Sequence, residues 1–210
     1  MTLLQKIEEA KKIIEYHAIR YPNFCVGFSG GKDSVVLAHL CKEVIGRVPL
    51  LIVLSNTELK ATYEFIEFAK GYYGKLSGNV VAKFENKGDL RNCCRSGKVK
   101  VFNEKLQGFE CWFSGIRKDE ASTRTDLQST EQNHNIIKVN PILEFTEKDI
   151  WRYIAINNLK INEAYKKGYR SLSCRFCSSP EKDEQETERD GRWRGTENQG
   201  LECGIHNNRK

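Results

Sequence analysis

Apolar residues recur at helical spacing at the start of the chain and then give way to short apolar runs. Between residues 3 and 20 they fall three or four positions apart, which predicts an opening amphipathic helix. Two runs, at 23–28 and 48–55, are short and almost wholly apolar, which is typical of buried strands. Each run is followed by a segment with helical spacing, at 35–44 and at 62–73. The pattern therefore predicts helix, strand, helix, strand and helix in that order.

Two more strand candidates and another helix continue this alternation. Residues 79–85 and 109–116 are further short apolar runs, and residues 146–158 return to helical spacing. Thr146 begins that helix and acidic residues occupy its first turn, which is typical of a capped N-terminus. Strands that alternate with helices form a parallel sheet with helices on both faces. The sequence therefore predicts an α/β, Rossmann-like fold.

The composition changes after residue 177. The chain of 210 residues is long enough for one domain with a substantial core. Residues 178–210 are polar, contain glycines and have almost no aliphatic side chains, so they have little apolar surface to bury. We therefore expect an α/β domain at 1–177 and a mobile C-terminal tail at 178–210.

Charge and hydropathy restrict the cellular setting. The net charge of +6 is spread along the chain, which indicates a solvated surface or an anionic substrate. No N-terminal run combines a basic start, an apolar core and a cleavage site, and no stretch approaches the roughly 18 apolar residues that span a bilayer. We expect a cytoplasmic protein with no membrane contact. In that reducing compartment its eight cysteines are ligands, nucleophiles or buried residues rather than disulfides.

A glycine loop joins the first predicted strand to the next helix. It reads SGGKDS, and such a loop presents backbone N–H groups and the positive end of a helix dipole to an anion. The lysine follows the glycines directly, so the loop is not the P-loop GxxxxGK followed by Ser or Thr. It resembles the SGGxDS loop of the adenine-nucleotide pyrophosphatase superfamily, which cradles a pyrophosphate or sulfate group. The candidate binding residues are Ser29, Gly30, Gly31, Lys32, Asp33 and Ser34.

Two pairs of cysteines have spacing that suits metal ligands. Cys93 and Cys94 are adjacent, whereas two residues separate Cys174 from Cys177. Zinc knuckles place residues between their cysteines so that both sulfurs face one ion, but adjacent cysteines can reach two irons of a cubane. The spacing favours a 4Fe–4S cluster over zinc. The alternatives are a redox pair at 174 and 177, or buried cysteines at 93 and 94.

The remaining cysteines divide into a core group and one tail residue. Cys203 lies in the polar tail beside a glycine, with His206 three residues later, which suits either a reactive thiol with a neighbouring base or an unpaired tail cysteine. The other three lie inside apolar runs and are predicted core residues: Cys25, Cys41 and Cys111.

Five motifs in order resemble the assimilatory adenylyl-sulfate reductases, thioredoxin-dependent relatives of the phosphoadenylyl-sulfate reductases within the adenine nucleotide alpha-hydrolase superfamily. The resemblance extends from about residue 24 to 206 and implies that superfamily's Rossmann-like fold. It rests on CCRSGKV at 93–99, LQGFECWFSGIRKDEASTR at 106–124, VNPILEFTEKDIWRYI at 139–154, GYRSLSCRFC at 168–177, and RDGRW with ECGIH at 189–193 and 202–206.

The resemblance implies a mechanism. Cys203 would attack the sulfur of adenylyl sulfate, expel AMP and carry an S-sulfocysteine, from which a thioredoxin dithiol would release sulfite. Cations must offset the repulsion between thiolate and sulfate, and the matching positions are Lys98, Arg189, Arg192 and His206. Cys93, Cys94, Cys174 and Cys177 would hold the 4Fe–4S cluster, which would position Lys98 and polarise the site.

The resemblance also implies where the nucleotide binds. The SGGKDS loop would hold its anionic groups, and Arg117 and Arg124 match a basic segment that faces the nucleotide in relatives. Thr57 lies in LSNTE, where relatives that recognise adenosine commonly have Asp-Thr-Gly, so this chain departs from the family pattern there. Adenylyl sulfate and its 3′-phosphorylated form both remain candidate substrates. Relatives suggest a homodimer or a homotetramer.

Two other function classes stay open. The complete SGGKDS loop also suits an ATP pyrophosphatase that adenylates a nucleic acid or a small molecule for sulfur insertion, as in tRNA thiolation or DNA phosphorothioation. The chain has no recognisable RNA-binding appendage or concentrated basic stripe, so we expect no nucleic-acid partner. A non-catalytic nucleotide sensor with a cluster would leave Cys203 without a role.

Overall fold

A six-stranded sheet forms the centre of the protein, in a computed structural model that describes residues 1–46, 48–74, 78–85, 97–133, 135–182, 187–196, 199 and 204–206. The strand order is β3-β2-β1-β4-β6-β5, and only β5 runs antiparallel to its neighbour. The strands are β1 Phe24–Gly27, β2 Leu50–Ser55, β3 Val80–Phe84, β4 Cys111–Phe113, β5 Thr130–Asn133 and β6 Ile136–Val139. The parallel order brings the carboxyl ends of β1 and β4 to one edge, where open α/β sheets bind ligands.

Helices cover the two faces of the sheet unequally. The helices are α1 Leu3–Arg20, α2 Lys32–Ile45, α3 Lys60–Tyr72, α4 Lys100–Leu106 and α5 Glu147–Ile156. One face packs against α1, α2, α3 and α5, whereas the other packs against α4 and the tail residue Ile205. Strand residues alternate between these two clusters, as the period of a strand requires. Ile205 of the tail therefore packs on the second face of the sheet.

The predicted α/β fold is confirmed. Thr146 caps α5 as expected, because its Oγ1 accepts the Asp149 N–H at 3.2 Å and its own N–H donates to Asp149 Oδ2 at 3.0 Å. The three cysteines predicted in the core, Cys25, Cys41 and Cys111, are fully buried.

The hairpin of β5 and β6 was not predicted from the sequence. β5 reads TEQN, which has no apolar alternation, and it lies at the edge of the sheet paired only with β6. An edge strand with polar side chains avoids pairing with other chains, and for the same reason it carries no strand signal in its sequence.

The described part of the tail lies against the α/β domain. The Ser179 N–H donates to Gly191 O at 2.9 Å, and the Trp193 N–H donates to Cys177 O at 3.1 Å. Trp193 is only 5% exposed and packs on Cys174 and Cys177. The boundary at residue 177 and the mobility of the tail stay predictions. Within the described residues, every helix is too short or too polar to cross a membrane.

Candidate active site

The glycine loop turns the chain from β1 into α2 at the carboxyl edge of the sheet. Gly30 has φ +78°, a left-handed conformation that glycine adopts without strain, and Gly31 is the N-cap of α2. Within the described residues, no group accepts a hydrogen bond from the N–H of Asp33 or Ser34. The loop therefore offers the N–H groups that the sequence predicted for an anion.

Gly115, just after β4, keeps this helix start accessible. A Cβ on Gly115 would lie 3.3 Å from Ser34 N and 3.3 Å from the Asp33 carbonyl carbon, closer than most real contacts. The absence of a side chain there leaves room beside the first N–H groups of α2. The approach of β4 to the loop thus forms one wall of a cleft.

The cleft brings together most of the predicted binding residues. Its walls come from the loop, β4, α4, the segment after α5 and the described tail. The predicted residues that line it are Ser29, Gly31, Lys32, Asp33, Ser34, Lys98, Arg124, Arg189, Arg192 and His206. These positions lie far apart in the sequence, so the fold gathers them around one volume.

Three of the predicted binding residues do not line the cleft. Gly30 packs towards α3, with a Cβ position 3.5 Å from Ile66. Arg117 is fully buried beneath the loop. Thr57 lies at the end of β2 on the side of the cysteine pair, where its carbonyl accepts the Arg175 N–H at 2.9 Å. Their roles in binding stay predictions.

A buried ion-pair network ties the loop to the tail. Lys32 Nζ donates to Glu188 Oε2 at 2.6 Å and to Arg170 O at 3.0 Å. Arg117 Nη2 donates to both Glu188 oxygens at 2.8 and 2.6 Å, and Arg117 Nε donates to Asp33 Oδ1 at 2.6 Å. Lys32, Arg117 and Glu188 are each at most 6% exposed. Two buried cations therefore share the carboxylate of Glu188, which comes from the tail.

A second carboxylate holds two arginines at the cleft. Glu120 accepts a hydrogen bond from Arg124 and pairs with Arg189 Nη1 at 3.3 Å. Burial would raise the pKa of Glu120, but Arg124 and Arg189 outweigh it and hold that pKa well below its usual value. Glu120 thus stays ionised and fixes both guanidinium groups beside the cleft.

Four polar atoms in the cleft lining have no hydrogen-bond partner among the described residues. They are Trp112 Nε1, Ser114 Oγ, Arg192 Nε and His206 Nδ1. Trp112, Ser114 and Arg192 are each at least nine-tenths buried. Unpaired buried polar atoms cost free energy, and several of them converging on one cleft indicate a polar ligand.

The last described tail residues are anchored inside this cleft. Ile205 packs on the cluster that contains Phe102 and Trp112, and the His206 ring stacks on Trp112 with centroids 5.8 Å apart. Burial, Arg124 and Lys138 lower the pKa of His206, so its ring is neutral at pH 7.

Gly204 lies close to Val99, the residue after Lys98. A Cβ on Gly204 would lie 3.0 Å from a Val99 methyl group, and Val99 follows Lys98, which lines the cleft. Cys203, the predicted nucleophile, lies outside the described residues, one position before Gly204. Two described residues that follow it, Ile205 and His206, line the cleft.

Cys174 and Cys177 lie on one buried turn. The Cys177 N–H donates to Cys174 O at 3.0 Å, and Trp193 covers both thiols. A hydrogen bond from the Cys177 thiol, together with backbone N–H groups, outweighs burial and lowers the pKa of Cys174 to about 6. A thiolate in a buried turn fits the donor chemistry of an iron–sulfur cluster.

The other two predicted ligands, Cys93 and Cys94, lie outside the described residues. Among the residues that are described, no three His, Cys, Asp or Glu side chains are grouped to hold a metal ion. The described pair thus supplies at most half of a four-thiolate site.

Several site residues were missed by the sequence analysis. Glu188, Glu120 and Tyr165 are ordinary polar residues in the sequence, and Trp112 and Ser114 belong to a run predicted only as a strand. Glu188 directly precedes the RDGRW motif, which was the one available signal. A carboxylate beside two arginines of a motif is a candidate partner for a buried cation elsewhere in the chain.

Replacing Glu188 by glutamine is expected to destabilise the protein strongly. Glutamine keeps the shape but leaves Lys32 and Arg117 without their shared anion, and removing one partner of a buried pair costs about 3–5 kcal/mol. The free energy of unfolding, measured with a chemical denaturant, should fall by that amount. Glu144→Gln is the matched control, because Glu144 pairs with Lys118 at 2.7 Å but is 60% exposed. Such a surface pair contributes about 0–1 kcal/mol. Equal stabilities of the two variants would contradict the importance of the buried network.

Comparisons with known proteins show the family to which the chain is related. The model of the family described as the phosphoadenosine phosphosulfate reductase domain matches residues 23–180. The chain is 31% identical to the adenosine 5′-phosphosulfate reductase of Lysinibacillus sphaericus, over 94% of this chain and 90% of the relative.

Two solved structures are similar to the fold. One is the phosphoadenylyl-sulfate reductase from Candida auris in a phosphate complex, with TM-score 0.65 and 18% identity over 80% of this chain and 88% of that one. Another is the Candida glabrata FMN adenylyltransferase in complex with FMN and an ATP analogue, with TM-score 0.67 and 21% identity over 97% of this chain and 79% of that one. The family match covers most of the chain, and we conclude that the protein belongs to the phosphoadenosine phosphosulfate reductase domain family.

Proposed function

We propose that the protein is a sulfonucleotide reductase of sulfate assimilation, which converts adenylyl sulfate, or its 3′-phosphorylated form, to sulfite and AMP or its 3′-phosphorylated counterpart. The observation that carries the proposal is that the glycine loop, the cationic residues and the tail residues Ile205 and His206 line one cleft. This reaction needs a site for an adenine nucleotide with an anionic end and a thiol, here supplied by the tail. It also needs positive charges that bring the two anions together.

The chemistry proceeds by two displacements. The Cys203 thiolate attacks the sulfur of the substrate's sulfate group, a new S–S bond forms, and the bond from sulfur to the phosphate oxygen breaks to release the nucleotide. A thiolate of a thioredoxin-type dithiol then attacks Cys203 Sγ and sulfite leaves. The second thiol of that donor resolves the mixed disulfide, so the donor is oxidised and Cys203 returns to its thiol form.

The cleft residues account for the electrostatics of the first displacement. Arg124, Arg189 and Arg192 line the cleft together with Lys98, and they offset the repulsion between a thiolate and a sulfate. His206 is neutral at pH 7 because of burial and nearby cations, so its ring can accept a hydrogen bond without adding charge. These residues bind and orient the substrate while the tail brings the thiol.

The proposal includes a 4Fe–4S cluster held by Cys93, Cys94, Cys174 and Cys177. When bound, the cluster supplies a local charge distribution that polarises the sulfate end of the site. The support from the described residues is the buried, acidic Cys174–Cys177 turn, whose cover Trp193 lies 4.6 Å from the guanidinium of Arg192. One side chain, that of Trp193, thus separates the cysteine turn from a cleft arginine.

We also propose a cytoplasmic location and, from the family resemblance, a homodimer or a homotetramer.

A direct assay tests this function. The purified protein, kept without oxygen, is mixed with adenylyl sulfate and reduced thioredoxin, and sulfite and AMP are measured over time. We expect the two products in equal amounts. A parallel reaction with the 3′-phosphorylated nucleotide decides which substrate is preferred, and a third with ATP measures pyrophosphate. Pyrophosphate without sulfite would replace the proposal by the ATP pyrophosphatase class.

A further inference from the structure

The first N–H of α2 is already occupied by a side chain. Lys32 N donates to the hydroxyl oxygen of Tyr165 at 2.7 Å, and a Cβ on Gly31 would lie 3.4 Å from that same oxygen. In loops that hold a polyphosphate, the N–H groups at the start of the helix contact phosphate oxygens. The Tyr165 hydroxyl therefore occupies the position that a phosphate oxygen of a polyphosphate would take.

The position of Tyr165 is fixed from several sides. It lies in the 3-10 helix Glu163–Lys167 after α5, and its ring meets the Trp151 ring edge-on at 5.3 Å. Lys32 Nζ lies 5.8 Å from the centre of the Tyr165 ring. Burial raises the pKa of Tyr165, so the hydroxyl keeps its proton and remains neutral. The phenol is thus a rigid, uncharged wall of the cleft.

The charged side chains that ATP would use are also engaged elsewhere. Lys32 Nζ is held by Glu188 at 2.6 Å, and Asp33 is paired with Arg117 at 2.6 Å. A loop lysine that binds terminal phosphates must reach them, and a carboxylate that binds magnesium must face it unpaired. The SGGKDS loop keeps the sequence of an ATP-binding loop while its Lys and Asp form a buried structural network.

We propose that Tyr165 is a specificity-determining residue that closes the loop to nucleoside triphosphates. The N–H groups of Asp33 and Ser34 remain for one compact anionic group, such as the phosphate of AMP or of adenylyl sulfate. The unpaired Ser114 Oγ and Trp112 Nε1 in the same cleft provide further donors for that group. The inference rests on the proposed function, because it assumes that the nucleotide binds in this cleft.

Calorimetric titration of the full-length protein with AMP and with ATP, each with magnesium, tests the inference. We expect the native protein to bind AMP at least about tenfold more tightly than ATP, since loss of one charge-assisted hydrogen bond changes a dissociation constant by about that factor. Tyr165→Phe frees the Lys32 N–H for a phosphate oxygen. The ratio of the dissociation constant for ATP to that for AMP should therefore fall about tenfold. Tyr165→Ala, which also removes the ring, should reduce it further.

Tyr169→Phe is the matched control, because it removes a tyrosine hydroxyl four positions away that does not line the cleft. It should leave the ratio of dissociation constants at the native value. Native protein that binds ATP as tightly as AMP, or a Tyr165→Phe variant with an unchanged ratio, would overturn the inference. AMP binding without sulfite formation would instead remove the reductase function and leave the inference standing. Failure to bind either nucleotide would overturn both.

Discussion

Replacement of Cys203 by serine is expected to abolish sulfite formation from adenylyl sulfate while AMP binding is kept. A serine hydroxyl is far less acidic and less nucleophilic than a thiol at neutral pH, and no dithiol can release sulfite from a serine ester by disulfide exchange. Ile205 packs on the cluster of Phe102 and Trp112, and His206 stacks on Trp112, so we expect the tail to stay seated in the variant. We therefore expect a loss of activity to the level of the assay background.

Intact-protein mass spectrometry without oxygen gives the sharper measurement. The native protein, mixed with adenylyl sulfate in the absence of any thiol, should gain the mass of one SO3 group and release one AMP. Cys203→Ser should gain nothing. Cys41→Ala is the control, because Cys41 is fully buried in α2 and lies outside the cleft lining. An adduct on Cys203→Ser, or a native adduct that peptide mapping assigns to another cysteine, would refute Cys203 as nucleophile.

Much of the fold could be predicted from local sequence patterns. β1 and β2 are buried on both faces, so their continuous apolar runs mark them as parallel-sheet strands. The amphipathic spacing of α1 and the cap at Thr146 are likewise local signals, and they predicted the right elements. The β5–β6 hairpin was missed because its outer strand is polar, and pairing at a sheet edge depends on a neighbouring strand rather than on the strand's own side chains.

The site was predictable where its chemistry is local and was missed where its partners are distant. The glycine loop is a contiguous pattern, and it lies at the expected strand-to-helix turn. The pairing of Lys32 with Glu188 joins positions 156 residues apart, and no spacing rule links them. The motif alone predicted Lys32 and Asp33 as binding residues, and it gave no information about their partners, which are Glu188 for Lys32 and Arg117 for Asp33.

The predicted mobility of the tail stays a prediction, but its described part shows which side chains contact the α/β domain. The tail has few aliphatic residues, so burial of apolar surface can contribute little to these contacts. The described contacts use Trp193, the buried carboxylate of Glu188 and the aliphatic residue Ile205. A buried carboxylate can hold such a segment when it meets buried cations, as Glu188 meets Lys32 and Arg117.

Replacement of Cys177 by serine is expected to remove the iron–sulfur cluster from the purified protein. A serine oxygen is a poor ligand for iron–sulfur clusters compared with a thiolate, and the turn would keep one sulfur ligand at Cys174. The variant would also lose the thiol hydrogen bond that acidifies Cys174. Iron and acid-labile sulfide, measured after reconstitution without oxygen, should fall from about four of each per chain to near zero, and the brown colour should disappear.

Cys111→Ala is the matched control for this experiment. Cys111 is as buried as Cys177, but it lies in β4 within the main hydrophobic core, away from the Trp193 turn. The iron content of Cys111→Ala should equal that of the native protein even if the substitution lowers stability.

Because Trp193 covers the turn and contacts Arg192, cluster loss in Cys177→Ser should also weaken binding of adenylyl sulfate more than binding of AMP, which lacks the sulfate. Native iron content in Cys177→Ser would exclude Cys177 as a ligand and point to a redox role for the pair.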